Sequence, residues 1–290
     1  MRLPDFVLIG SMKSATSTLH DQLAEQPGIF MSTPKEPCFF SDDAVYARGM
    51  DWYSGLFADA PAGALCGESS THYTKLPTHP DSAARLAAHL PQAKLIYIMR
   101  HPIDRLISHY VHAWTEREVS GSIDDAVATH APLIQYGQYA MQLETFFAHF
   151  DRAAILPVFF ERLRVAGQEE LERVAQFIGY AQKPQWSDAE ARKNVSSERL
   201  RTSPLRDALI DAPLIRTLRR RLVPQAVRDR IKRLWQMRER PVLSQASRQR
   251  LTREFDADLA RLGKWLGTPL ACDSFAETVR KRPLDWLKDA

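Results

Sequence analysis

The apolar positions of the chain fall into short uninterrupted runs separated by stretches of helical period. Phe6–Ile9 is a four-residue apolar run that stops at Gly10, the pattern of a strand buried on both faces. A second run, Lys94–Met99, carries Leu95, Ile96, Ile98 and Met99 and stops at Arg100-His101-Pro102. A third, Ala153–Phe160, is strand-like, with Pro157 pushing it to a sheet edge or ending it early. Ala64–Cys66, before Gly67-Glu68, is a weaker strand candidate. Between the runs, Leu19, Leu23 and Ala24 share a helical face that ends before Pro27-Gly28. Behind Pro102, which suits a first helical position, Ile103, Leu106, Ile107, Tyr110, Val111 and Trp114 follow the 3.6-residue period. Further helices are expected over Asp81–Leu90, Leu133–Phe150 and Gln168–Ile178. Strands alternating with helices predict a parallel α/β sheet that takes its ligands at the strand carboxyl ends.

From about Arg199 the strand signal ceases. Helical patterns run through Pro204–Ile210, Pro213–Val223, Gln225–Met237 and Ser244–Leu266, followed by a tail ending in Leu284-Asp285-Trp286-Leu287. No repeat or low-complexity linker divides the chain. The expectation is a single domain over residues 1–290, an α/β core to about 204 with a helical portion from about 205 packed on it.

Composition narrows the classes. Apolar residues make up 44% of the 290 and charged residues 26%, enough for a globular core. Cys38, Cys66 and Cys272 are widely spaced and form no CxxC pair, which argues for three reduced thiols packed as small apolar groups, not a zinc site, a thioredoxin-like site or a disulfide framework. No apolar run nears the ~20 residues of a membrane span, and the N-terminus shows no signal-peptide pattern, so a cytoplasmic protein is expected. The net charge of +4 argues against wholesale nucleic-acid binding, but it hides an asymmetry. Arg216–Arg240 holds ten basic residues against two acidic ones, a local +8 that leaves −4 on the rest. That segment suits an anionic acceptor, an anionic membrane surface or an acidic partner, and equally a solvated basic face on a docked helix.

The loop Gly10-Ser11-Met12-Lys13-Ser14-Ala15-Thr16-Ser17-Thr18 lies between the first strand and the first helix. Helix N-terminal amides without partners, the positive end of the helix dipole and the Lys13 charge together make an anion site, with Ser14, Thr16, Ser17 and Thr18 adding hydroxyls. A kinase or NTPase loop would read GxxxxGK[ST]; here Lys13 follows Gly10 by three with no glycine before it. The second strand also ends in Arg100, a cation where a magnesium ligand would be wanted.

Lys13–Thr18 resembles the 5′-phosphosulfate loop of the sulfotransferases that use 3′-phosphoadenosine-5′-phosphosulfate (PAPS). Arg100 to Tyr110 is similar to their 3′-phosphate motif, in which a strand-end Arg and a Ser eight residues later, here Arg100 and Ser108, grip that phosphate. Pro34-Lys35-Glu36-Pro37-Cys38-Phe39-Phe40 resembles the KEPxFF segment of the heparan-sulfate type and its bacterial relatives, which implies Glu36 as general base. Phe39 and Phe40 are expected to desolvate that carboxylate and raise its pKa. Gly67-Glu68-Ser69-Ser70-Thr71-His72-Tyr73 aligns with the family's GEKTPxY, with Ser69 where glycan enzymes carry a catalytic Lys, and His72 is a competing base. In the phosphate loop Ala15 replaces the usual Gly, which is tolerable only at negative φ. Asn194–Arg199 resembles the late loop over the nucleotide, and Arg199 is a further candidate for the 3′-phosphate.

The resemblance implies a P-loop-like three-layer α/β fold. It also implies transfer of sulfonate from PAPS to a hydroxyl of a carbohydrate, lipid or secondary metabolite, with 3′-phosphoadenosine-5′-phosphate (PAP) as product and no metal. Lys13, Glu36 and His72 are the catalytic candidates. Lys13, Ser14, Ala15, Thr16, Ser17, Thr18, Arg100, Ser108 and Arg199 are the nucleotide-binding ones. The alternatives are an inert nucleotide-binding protein on the same fold, or a kinase. Neither the acceptor nor the oligomeric state is legible.

Overall fold

The computed structural model describes residues 2–188 and 240–287. Five parallel strands, β1 (Phe6–Gly10), β2 (Ile29–Met31), β3 (Leu65–Ser69), β4 (Lys94–Met99) and β5 (Ile155–Phe159), form one sheet in the order β2-β3-β1-β4-β5. Among the described residues the helices are α1 (Thr16–Ala24), α2 (Asp43–Tyr46), α3 (Gly49–Gly55), α4 (Ser82–His89), α5 (Pro102–Thr115), α6 (Ile123–Thr129), α7 (Pro132–Gln135), α8 (Tyr139–Phe147), α9 (Phe160–Leu163), α10 (Gly167–Ile178), α11 (Gln245–Trp265) and α12 (Cys272–Lys281). A 3₁₀ turn, Thr71–Thr74, follows β3.

The expected α/β class is what forms. All five residues of β1 are buried, and alternate side chains serve two cores. Val7 and Ile9, with Leu95 and Tyr97 of β4, pack against Phe39, Phe40, Tyr53, α5, α8 and α11. Phe6 and Leu8, with Ile96 and Ile98, pack against Leu19 and Leu23 of α1 and Leu171 and Val174 of α10. Each such fully buried side chain contributes roughly 1.5–3 kcal/mol of transfer free energy, so the centre of the sheet is the stiffest part of the fold. Gly67 is required where it stands, because a Cβ there would lie 2.2 Å from the Phe6 ring. Pro157 lies in β5, an outer strand, as its missing N–H demands. The strand β2 was not anticipated: three residues after Pro27-Gly28 are too few to show a period.

The single helix expected over Leu133–Phe150 is instead two, α7 and α8, broken at Gly137 and Gln138. A Cβ on Gly137 would sit 2.9 Å from Arg105 Nε and 3.1 Å from the Phe255 ring, so the chain there is pressed against α5 and α11. The break frees the first amides of α8. Asp258 of α11, only 6% exposed, accepts from Ala140 N at 2.9 Å and Met141 N at 3.0 Å. On α11 itself Leu251, Phe255, Leu259 and Leu262 form the buried stripe, and Ser244 caps the helix by accepting from Ser247 N at 3.2 Å. The tail returns to the sheet, with Trp286 Nε1 donating to Ile155 O at 2.7 Å. The helical patterns expected over 204–210, 213–223 and 225–237 lie outside the described residues.

The Asp258 cap joins two helices that are 118 positions apart in the chain. Asp258→Ala is therefore expected to lower stability by about 1–2 kcal/mol, the cost of a lost cap. Urea unfolding measures it, and an unchanged midpoint would contradict the assignment.

Candidate active site

The strand order reverses direction at β1, with β3 on one side and β4 on the other, and the crevice beyond their carboxyl ends is where such sheets bind ligands. The register of β1 with β4, Leu8 opposite Ile96 and Gly10 opposite Tyr97, brings the loop after β1 beside the turn after β4. Arg100 Nη1 donates to Lys13 O at 3.1 Å, so the two elements taken from distant parts of the sequence meet directly.

The loop is built for an anion through its backbone. Lys13 and Ala15 are both left-handed, at φ 69 and φ 70, and alternating hands turn successive amides to one side. Ala15 is the N-cap of α1 and has no side chain with which to cap it, which leaves the amides of Thr16, Ser17 and Thr18 without an intrahelical partner. The expectation of negative φ at Ala15 is corrected here. The residue takes a conformation that costs an L-residue about 1 kcal/mol, and the loop's turn imposes it. The hydroxyls are not equivalent. Ser11 Oγ donates to Ile98 O at 2.9 Å, so the 2.7 Å contact with Ser14 uses the Ser14 proton, and Ser14 is turned wholly inward. Ser17 Oγ accepts from Lys35 Nζ at 2.8 Å. Gly10, at φ 149, leaves no space for a Cβ, which would meet Thr74 Oγ1 at 2.0 Å.

Arg100 stacks over the Phe160 ring at 4.4 Å, and its Nε is buried without an acceptor among the described residues. Burial weakens its hold on the proton, yet a guanidinium keeps its charge, so an unpaired donor waits at the strand end. Tyr139 fixes the turn by accepting from Arg100 N at 3.2 Å and donating to Arg100 O at 2.5 Å. Glu161 accepts from His101 N at 2.8 Å. Ser108 lies on α5 two turns beyond, half-buried beside that helix's buried face. Arg199 lies outside the described residues.

Glu36 lies across the end of β3. Its N–H donates to Ser69 O at 3.0 Å, Oε2 accepts from Thr71 Oγ1 at 2.9 Å, and Oε1 is 3.4 Å from Lys35 Nζ. Since Lys35 also holds Ser17, the carboxylate is tethered to the phosphate loop. Burial pushes the Glu36 pKa up, but Lys35, the Thr71 hydroxyl, Lys75 and His72 together outweigh it and hold the carboxyl below its ordinary value. This corrects the expectation of a raised pKa. Phe39 and Phe40 are fully buried and turn into the core, Phe39 stacking on Tyr53 at 4.6 Å, so they do not blanket the carboxylate. His72 stacks on His79 with ring centroids 4.9 Å apart. Burial, then Lys75, brings its pKa down to about 4, so it is a neutral imidazole at neutral pH. Cys38, expected as packing, is half-buried beside these groups, and burial raises its thiol pKa to about 11.

Two residues escaped the sequence reading. Lys35 stood inside a quoted motif without a role. Lys75 was not singled out at all: the missing family cation was sought at position 69, where Ser69 is buried and contacts His20 Nδ1 at 2.9 Å. Six positions later the Lys75 side chain is only 9% exposed, with the Tyr136 ring 5.8 Å from its ammonium. Its charge acts on Glu36, His72 and His79 alike. A lysine directly after an aromatic turn segment, Thr71–Thr74, was the available signal.

Known proteins resemble this chain in sequence and in fold. The profile described as "Sulfotransferase family" matches residues 57–184, which contain His72, Arg100 and Ser108 but neither Lys13 nor Glu36. Heparan sulfate glucosamine 3-O-sulfotransferase 3B1 of Mus musculus is 31% identical over 187 residues, 61% of this chain and 46% of that protein. Membrane-associated sulfotransferase kil1 of Dictyostelium discoideum is 34% identical over 127 residues, 42% of this chain and 26% of that protein. The chain spans about half the length of the first of these curated relatives. The crystal structure of a sulfotransferase from Alicyclobacillus acidocaldarius superposes with a TM-score of 0.66 at 22% identity, over 97% of this chain and 100% of that one, and shares the fold. Over residues 57–184 the chain is thus similar to the sulfotransferase family, and its fold is that of a solved sulfotransferase.

One buried group tests this electrostatic description without reference to activity. Glu68 is fully buried at the end of β3, and among the described residues neither oxygen has a partner in good hydrogen-bond geometry, although Tyr73, Tyr53 and Ser70 lie near enough to oppose part of the upward shift. Burial first, with the Glu36 charge adding, raises its pKa to about 8. A raised carboxyl pKa means that the folded state keeps a proton the unfolded state loses, so stability falls as pH rises from the unfolded value toward 8. Glu68→Gln, neutral at every pH, is expected to raise Tm relative to wild type more at pH near 8 than at pH near 4.5. Equal shifts at both would show that Glu68 is not held protonated.

Proposed function

We propose that the protein transfers a sulfonate group from PAPS to a hydroxyl of a carbohydrate, lipid or secondary-metabolite acceptor. The observation that carries this reading is the meeting of the two loops, Arg100 on Lys13 O at 3.1 Å, with Glu36 tied to the same loop through Lys35 and Ser17. The open amides of α1 and the unpartnered Arg100 Nε are donors looking for anionic oxygens at two places, which suits a nucleotide phosphorylated at both ends.

In this reading Glu36 takes the acceptor proton as the acceptor oxygen attacks sulfur. The bond from sulfur to the bridging oxygen breaks, and the charge that develops on the 5′-phosphate is met by Lys13 and the amides of Thr16, Ser17 and Thr18. Arg100 and Ser108, with Arg199, hold the 3′-phosphate. Glu36 is a modest base by its lowered pKa but is fully ionised at neutral pH. Lys75 supplies the acceptor-side positive charge that Ser69 cannot. The glycan acceptors named for the heparan sulfate relatives support a hydroxyl acceptor here, and the acceptor's identity is the open part of the proposal.

The test is an acceptor screen with labelled PAPS, read by mass spectrometry for sulfonate added to oxygen, beside thermal shifts with PAP and with ATP plus Mg²⁺. PAP stabilises the protein and ATP with Mg²⁺ does not; the reverse would favour a kinase, and PAP stabilisation without turnover on any acceptor would favour an inert binder. Glu36→Gln is expected to cost ~10²–10⁴-fold in turnover, the range for a lost general base, while the PAP shift persists. If His72→Ala loses activity and Glu36→Gln keeps it, the base is His72.

Two further expectations accompany that screen. The acid limb of turnover should lie below the pH at which an ordinary glutamate titrates, since the working carboxylate is lost only as pH falls through its lowered pKa. Lys75→Met should lower kcat by about tenfold or more without weakening PAP binding, as loss of an electrostatic stabiliser does. Equal losses in kcat and PAP affinity would place Lys75 on the nucleotide instead.

A further inference from the structure

A carboxylate oxygen of Glu36, Sγ of Cys38 and a ring nitrogen of His72 all lie within 4.8 Å of one another, the one such group among the described residues. Their spacing is set by the backbone as well as by side-chain placement. Glu36 and Cys38 are both left-handed, at φ 57 and φ 54, on either side of Pro37. Glu36 N donates to Ser69 O and Cys38 N to Ser70 Oγ, each at 3.0 Å, and Thr71 Oγ1 holds Glu36 Oε2 at 2.9 Å. The segment that carries His72 is thus laced to the segment that carries the other two. All three residues are half-buried, so the cluster is open to solvent on one side.

A tetrahedral zinc site with sulfur, nitrogen and oxygen ligands at their usual bond lengths sets the ligand atoms about 3.3–3.8 Å apart. From 4.8 Å that requires roughly an ångström of side-chain rotation. The donor set also selects the ion. Calcium and magnesium take oxygen ligands, whereas thiolate with imidazole and carboxylate suits Zn²⁺ and Co²⁺. A carboxylate and a thiolate balance the charge of a divalent ion. The opposing charges are the buried Lys75 and Lys35, 27% exposed, which donates to Ser17 at 2.8 Å and would give up only its longer 3.4 Å contact with Oε1 when an ion binds.

We propose that Glu36, Cys38 and His72 form a binding site for a soft divalent cation of the Zn²⁺ class, with the fourth position open to solvent. Binding forms three bonds from ligand lone pairs to the ion, and the Cys38 thiol releases its proton to water with no change of oxidation state. The consequence for transfer rests on the base reading above: a coordinated Glu36 no longer accepts the acceptor's proton, so the cation holds the enzyme off while the nucleotide half of the site stays intact.

The experiment is a titration of the reduced full chain with CoCl₂, followed by the thiolate-to-cobalt charge-transfer absorption, in wild type, Cys38→Ser and His72→Ala. A band saturating at one equivalent is expected in wild type and is lost in Cys38→Ser. His72→Ala should bind at least about tenfold more weakly, since even outer-sphere partners of a metal are worth that much. An unchanged PAP thermal shift shows that both variants are folded. No band in wild type, or a band that survives Cys38→Ser and therefore arises at Cys66 or Cys272, overturns the site. Zn²⁺ inhibition reversed by a chelator, at unchanged PAP affinity, supports the off-state. A band without inhibition leaves the site standing and counts against Glu36 as the base.

Discussion

The parallel pairing of β1 with β4 is the constraint from which the site follows. These two strands are separated by more than eighty residues in the chain, yet they lie side by side at the middle of the sheet, paired in parallel with one shift of register between Leu8 and Gly10. Both are buried on both faces and their side chains feed the same two cores. A slip of one residue would exchange the side chains that fill the two cores, Val7 for Phe6 or Leu8, so packing holds the stretch Phe6–Leu8 in its register. With it the relative position of the strand ends is specified too. Lys13 and Arg100 therefore meet without any need for the loops themselves to be stiff, and the contact between them is a consequence of core packing.

The second constraint is electrostatic, and it is where the site gives up one property to gain another. Lys35 reaches both Ser17 and Glu36, joining the phosphate loop to the acceptor side with a single ammonium. The same charge, with Thr71 and Lys75, lowers the Glu36 pKa against the effect of burial. A carboxylate in that position is a weaker base than a desolvated one, but it is charged at every neutral pH and held at a fixed distance from the donor's loop. In the transfer proposed above, proton abstraction from an alcohol would depend less on base strength than on how far Lys13 and the α1 amides neutralise the leaving group's charge at the other end.

Much of this was readable in the sequence because it rests on local patterns. The runs Phe6–Ile9 and Lys94–Met99, the Pro102 helix start, the loop cations and the edge placement of Pro157 each follow from residues within a few positions of one another. What was misread depends on contacts at long range. The break between α7 and α8 is decided by Arg105 and by Phe255 pressing on Gly137 and by Asp258 arriving to cap the second half, none of which the helical period over Leu133–Phe150 contains. The role of Phe39 and Phe40 turned on which way the turn faces, and Tyr53, fourteen residues on, draws Phe39 into the core. Lys75 was missed because a motif position was taken as the place where a charge had to be, whereas the field at Glu36 depends only on where the ammonium ends up.

Backbone strain marks the same location independently of any resemblance. Five non-glycine residues among those described have left-handed φ: Lys13, Ala15, Glu36, Cys38 and Arg117. Four of the five are in the two loops that form the site. Each costs an L-residue of order 1 kcal/mol, and unrelated loops have no reason to accumulate that cost together. A glycine at any of these positions would relieve the strain, and elsewhere the chain does place glycine at left-handed φ, as at Gly28, Gly49 and Gly63. At Lys13, Glu36 and Cys38 glycine would remove the side chain that carries the charge or the thiol. At those three positions a left-handed backbone coincides with a functional group, at Ala15 the turn alone demands it, and the buried strands beneath hold the geometry against the strain.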